Sequence, residues 1–227
     1  MYDLLFQIEW LALAYRSKRG LLSDTRHLSV DRPAEWTWLT QQKGAILGTM
    51  HFGPYSLGLV WLFHHYFAGR TVVIMKTRTN DVHERAAISR LSELGVDLRF
   101  ASPDSVEESF ELVKLVRRGA FAIVMVDLPH GYGRSSVAGT LGHELCFADG
   151  AIDLAALCQV PLVLFTTRSD ITADRIEVAE ICEVRRNNEP SRERAVKKVH
   201  RFIADNLSAW PEQWHMWTRF NEYQRRG

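Results

Sequence analysis

Cysteine is scarce in this 227-residue chain, and neither sign of charge prevails. The three cysteines, Cys146, Cys158 and Cys182, are odd in number and show no CxxC spacing. That excludes a disulfide framework and a thiolate metal site, and reads as buried thiols in a reducing compartment. Lys and Arg number 28 against 27 Asp and Glu, a formal net charge of +1, so no global field draws the chain toward nucleic acid or anionic lipid. Long apolar runs are missing too. Residues 3–15 are apolar but short, and Asp3, Gln7 and Glu9 interrupt them, whereas a membrane span needs roughly 20 apolar residues. The stretch also lacks the basic flank and small-residue cleavage site of a signal peptide. It is read as a helix over about residues 1–20 that packs on the domain or shields an apolar opening, with shallow membrane contact as the alternative. The nine histidines form no HExxH and no paired ligand spacing, so no metal site is expected. Gly131, Gly133, Gly139 and Gly142 are not followed by the Gly-Lys-Ser/Thr of a phosphate-binding loop; they read as a flexible loop, a lid or part of a tunnel wall.

What the chain does contain is a globular balance, 46% hydrophobic and 24% charged, enough for one domain with its own core. From residue 45 onward short apolar runs alternate with amphipathic ones. Strands are predicted at 45–50, 71–75, 96–100, 120–126, 144–147, 162–167 and 175–181. Helices are predicted at 55–67, 82–94, 105–116, 151–158 and 191–207, ahead of a Trp-rich tail. This alternation predicts an α/β fold: one mostly parallel central sheet flanked by helices on both faces. Working residues in such sheets gather at the carboxyl ends of the strands, which directs attention to His51, Lys76 and Asp127.

His51 follows the first of these strands and leads through Phe52-Gly53-Pro54 into a helix. An imidazole there can take a proton from an acceptor hydroxyl or amine, and backbone N–H groups near Gly53 can face a developing oxyanion; helix capping is the plainer alternative. Asp127 ends the apolar strand 120–126, where it orients His51, binds substrate or caps the following loop; an unpartnered charge there is costly. Lys76 and Arg78, with Arg134, are candidate phosphate contacts. Arg219 is a candidate substrate contact, and Glu212 is expected to pair with it or with a neighbouring helix. Cys146 reads as core packing.

Five segments, in order, carry a resemblance. Gly48 to Ser56 resembles the first motif of the lysophospholipid acyltransferase superfamily, in which a His is followed, after four intervening residues, by an acid. The branch it most resembles is the lipid A biosynthesis acyltransferases. Met75 to Asn80 resembles that branch's Tyr-Arg-Pro-x-x-Asn, with Lys76 in place of Arg; Asp127 to Gly131 resembles its Asp-Gln-x-x-Gly; Leu141 to Gly150 follows its Phe-Phe-Gly…Gly pattern. Pro211 to Phe220 is close to its Pro-Glu-Gln-Tyr ending. The resemblance spans about residues 44–220. It implies acyl transfer from an acyl carrier protein or coenzyme A thioester to a hydroxyl or amine, with no metal or redox cofactor. Relatives typically carry a hydrophobic anchor at the start. This chain begins almost at the domain, so the expectation moves to a soluble biosynthetic acceptor and a cytoplasmic protein, at most peripheral to the inner membrane. The family's acid falls at position 56, which is Ser56 here. Three readings follow: another carboxylate (Asp127, Asp149 or Glu144) approaches His51; His51 works alone on a more nucleophilic acceptor; or the chain is a noncatalytic binding relative. Hydrolysis, with water as acceptor, is a further alternative.

Overall fold

The computed structural model describes residues 12–76, 82–170 and 172–224. The predicted N-terminal helix lies largely outside them; residues 12–15 are helical, with Leu13 and Ala14 buried. The elements follow as α1 (Lys18–Asp24), β1 (Leu28–Val30), α2 (Pro33–Thr40), β2 (Ala45–Thr49), α3 (Tyr55–His65), β3 (Thr71–Met75), α4 (Val82–Ser92), β4 (Asp97–Ala101), α5 (Val106–Arg117) and β5 (Phe121–Met125). Then come β6 (Ser135–Thr140), β7 (His143–Ala148), α6 (Gly150–Cys158), β8 (Leu162–Ser169), β9 (Asp174–Cys182) and α7 (Glu189–Ala209), and a tail of two 3-10 segments, Pro211–Gln213 and His215–Glu222.

The main sheet runs β1-β9-β8-β2-β5-β3-β4, and every pairing in it except β8–β9 is parallel. Its central strands are largely apolar because both faces are covered. Alternate residues part to opposite sides: Ile46, Ala122 and Val124 pack with α5, α6 and α7, while Ala45, Leu47, Phe121 and Ile123 pack with α2, α3 and α4. The chain is therefore an α/β protein with a mostly parallel central sheet between helical layers.

Local chemistry sets the helix starts. Ser105 Oγ accepts from the Glu108 amide while Glu108 accepts from the Ser102 amide at 2.8 Å, a capping arrangement that starts α5. Asn188 Oδ1 accepts from the Ser191 amide at 2.8 Å and starts α7, with Pro190 in its first turn, where a missing N–H costs nothing.

Two segments depart from the sequence expectation. The supposed flexible loop after Asp127 is mostly a hairpin, in which β6 pairs antiparallel with β7 through a turn with positive φ at Leu141 and Gly142. Ser135–Thr140 is small and polar, without the β-branched alternation that marks a strand, and pairing with β7 decides its state. Upstream of residue 44, β1 and α2 add an edge strand and a helix whose Trp36 and Leu39 are fully buried.

Helix α3 packs on β8 through a glycine. A Cβ at Gly58 would run into the Thr167 side chain, which is itself buried and β-branched, so it has little room to turn away. Gly58→Ala is expected to lower unfolding free energy by about 1–3 kcal/mol, read as a lower urea midpoint at unchanged slope; an unchanged midpoint would refute the close approach.

Candidate active site

Strands β2 and β5 are neighbours in parallel register, Thr49 opposite Met125, and the Val126 amide extends the pairing by donating to the Thr49 carbonyl at 2.8 Å. Continuing each strand by two residues brings His51 beside Asp127, 76 positions apart in sequence. The contact has two parts. The His51 amide donates to Asp127 Oδ2 at 2.9 Å, and His51 Nδ1 lies 3.0 Å from Asp127 Oδ1. A carboxylate only accepts, so Nδ1 carries a hydrogen, and in the neutral ring Nε2 holds the lone pair.

Asp127 is wholly buried. The tail supplies further donors. Trp214 Nε1 donates to Asp127 Oδ2 at 2.9 Å, and the Tyr223 hydroxyl donates to the Asp127 carbonyl at 2.6 Å. Burial alone pushes the Asp127 carboxyl up; the charge of the neighbouring imidazole and the hydrogen bonds from the His51 ring, the Trp214 indole and the His51 amide outweigh it and hold the acid below its ordinary value. Burial, followed by the Asp127 charge, pushes the Tyr223 hydroxyl upward, so it stays a neutral donor.

The tail is held in register by its own bonds. Phe52 and Trp214 form an antiparallel bridge, in which the Gly53 amide donates to the Gln213 carbonyl and the His215 amide to the His51 carbonyl, each at 2.9 Å. Gln213 spans Ser169 at the end of β8, accepting from its amide at 2.9 Å and donating to its carbonyl at 2.8 Å. This corrects the expectation for Gly53. Its N–H is committed to Gln213 rather than open to an oxyanion. The glycine is required because φ is +53° and a Cβ would strike the Thr167 carbonyl, a conformation and a clearance that L side chains do not meet.

His51 opens on a cavity of about 380 Å³ with mainly apolar walls, among them Leu59, Ile74, Val124, Met125, Phe100 and Met216. Its polar lining includes Lys76, Tyr132 and Arg219. The Lys76 ammonium sits 6.0 Å over the Phe100 ring. Arg219 is bidentate to Glu222 at 2.8 and 2.5 Å and reaches the Tyr132 hydroxyl at 3.5 Å; its partner is thus Glu222, three residues on, and not Glu212.

The other expected site residues lie elsewhere. Ser56, in the first turn of α3, is buried and does not line the cavity. Arg134 is exposed and pairs with Glu189 at 3.5 Å; the reversal at Gly133 (φ 110°) carries it toward the start of α7 and away from the cavity. Arg78 lies outside the described residues. Asp149 is bound by Ser136 and Arg192, and Glu144 is exposed, so neither is the acid beside His51. All three cysteines are buried and free; burial pushes Cys158 and Cys182 up to about 11. Among the described residues no group of three or more His, Cys, Asp or Glu is placed to hold a metal ion, and no helix is long and apolar enough to cross a membrane. Sequence reasoning did not single out Trp214, Tyr223 or Tyr132. The Pro-Glu-Gln stretch before Trp214 was the signal available for the first of these.

A mostly parallel sheet that sets an imidazole–carboxylate pair at its carboxyl edge, against an apolar cavity, belongs to the class of arrangements able to move a proton beside an apolar group. The family comparison narrows that class. Residues 30–220 match the bacterial lipid A biosynthesis acyltransferases, and the chain belongs to that acyltransferase family. None of the curated proteins compared with the chain matches it.

The lowered Asp127 acid makes a linkage prediction. Its stabilising contribution is fully present above the unfolded value, about 3.9, and is lost as pH falls through the lower folded value. The stability advantage of wild type over Asp127→Asn, measured by urea unfolding, is therefore expected to shrink as pH drops below about 4. A constant gap down to pH 3 would contradict it.

Proposed function

We propose that the chain transfers an acyl group from a carrier-protein or coenzyme A thioester to a hydroxyl or amine, with His51 as general base. The observation that carries this reading is the buried Asp127 carboxylate on Nδ1 of an imidazole that lines an apolar cavity. Nε2 takes the proton of the acceptor as its oxygen or nitrogen attacks the thioester carbonyl. The tetrahedral intermediate collapses, the carbon–sulfur bond breaks, and the leaving thiolate recovers the proton from the imidazolium. Asp127 holds the tautomer and offsets the imidazolium charge that forms, the service a triad aspartate performs. It thereby takes the part of the acid missing at Ser56, which argues for a working enzyme over a noncatalytic relative.

The apolar walls suit an acyl chain. Lys76 and Arg219 are the cations that line the same cavity among the described residues, and they suit the phosphate of a phosphopantetheine arm or the carbonyl oxygen as it gains charge. No metal or redox cofactor enters any step. The acceptor in this reading is a biosynthetic intermediate or a lipid headgroup presented from an interface.

The test is a panel of acyl-carrier and coenzyme A thioesters with alcohols and amines, followed by product mass. His51→Ala is expected to lose about 10²–10⁴ in turnover, and Asp127→Asn a comparable factor through the wrong tautomer. Lys76→Ala is expected to raise the donor KM by about tenfold, roughly one charge-assisted contact, with kcat within a factor of about two. Wild-type turnover in His51→Ala would overturn the general-base assignment; free acid as the sole product would reassign the activity to hydrolysis.

A further inference from the structure

We infer that Trp214 is a positioning residue for the catalytic pair: its indole N–H fixes which Asp127 oxygen faces the His51 ring, and sets the proton affinity of the pair. This rests on His51 and Asp127 acting as proposed above.

The geometry divides the carboxylate in two. Oδ2 accepts from the His51 amide and from Trp214 Nε1, each at 2.9 Å, and Oδ1 meets His51 Nδ1 at 3.0 Å. An indole nitrogen only donates, so this contact favours the ionised acid over the protonated one, whose oxygens accept more weakly. Trp214 is 1% exposed, and water does not compete for the bond. Its placement is also over-determined. The residues on either side of it are bonded to the residues on either side of Phe52, and its ring meets those of Trp217 and Tyr223 edge-on at 5.1 and 5.3 Å. The indole therefore keeps its register with the carboxylate as long as the tail stays paired with the turn after β2.

A sign follows. With the indole donor present, the lone carboxylate is stabilised when the imidazole is neutral, which lowers the drive to protonate the ring. Without the donor the carboxylate charge is less satisfied, so the pair binds its proton more tightly and its apparent pKa rises. The titratable and charged groups facing the pair among the described residues are Tyr55 from α3, His215 and Tyr223 from the tail, and Lys76, Tyr132 and Arg219 around the cavity. All are common to the variants compared, so their fields cancel in the difference.

The experiment is an imidazole nitrogen NMR titration of the full chain, with the His51 signal assigned by its loss in His51→Ala. Trp214→Phe keeps an aromatic ring and loses the donor; the apparent pKa of His51 is expected to rise by about half a unit to one unit. Trp217→Phe removes a neighbouring indole whose N–H goes to the Pro211 carbonyl, and is expected to leave the titration unchanged. Replacing tryptophan by 5-fluorotryptophan keeps the shape and makes the N–H a stronger donor, so the shift should reverse in sign; this arm stands even if Trp214→Phe fails to fold. A His51 titration that neither change moves would overturn the assignment of Trp214. Wild-type turnover in His51→Ala would instead overturn the general-base reading on which it rests.

Discussion

The charge on Asp127 is the constraint on which the site depends. An isolated carboxylate taken wholly out of water costs several kcal/mol even after relaxation, and here it sits just past the end of β5, the neighbour of the central strand β2. The chain answers with donors brought from two directions. The turn after β2 supplies the His51 amide and ring, and the tail supplies the Trp214 indole, while Tyr223 ties down the Asp127 backbone. The tail is thus not a cover laid over a finished domain. Without it the carboxylate loses one of its three side-chain hydrogen bonds, and the turn that carries the histidine loses both bonds of its bridge to residues 213 and 215.

This arrangement gives the departure at Ser56 a physical meaning. In the motif the chain resembles, the acid falls at the position of Ser56, which here lies in the first turn of α3. Here the acid comes from the neighbouring strand. A strand-borne acid is positioned by sheet register and by buried donors, so its orientation relative to the ring follows from the backbone. The same geometry reassigns Gly53. The glycine is needed for the left-handed turn under the Thr167 carbonyl and for the bond to Gln213, and both are matters of how the chain passes from β2 to α3. Two cations, Lys76 and Arg219, line the cavity beside His51, the second of them held by Glu222.

The placement of the cavity follows from the same architecture. Strands β2, β5 and β3 end on one edge of the sheet, and the last residues of β5 and β3, with the loops after all three, line the space that His51 faces. The walls are apolar because those strands are buried on both faces, so the residues at their ends inherit the apolar composition of the core. An apolar cavity and the His51–Asp127 pair thus share one edge for reasons of sheet burial alone.

The sequence by itself determined the alternation of strands and helices, hence the class of fold, and the identity of the strand ends at His51, Lys76 and Asp127, because period and apolar content are local properties of the chain. It also carried the ordered segments that mark the family. It did not determine which strands are neighbours. The pairing of β2 with β5 across 76 positions, the antiparallel course of β9, the strand at Ser135–Thr140 and the separation of Arg134 from the cavity are contacts between distant segments, for which local pattern holds no signal. The choice of Asp127 over Asp149 and Glu144 as the acid beside His51, and the arrival of Trp214 on its far oxygen, were decided only by tertiary packing. A buried charge selects the donors that the fold can bring to it, and the fold is what brings them.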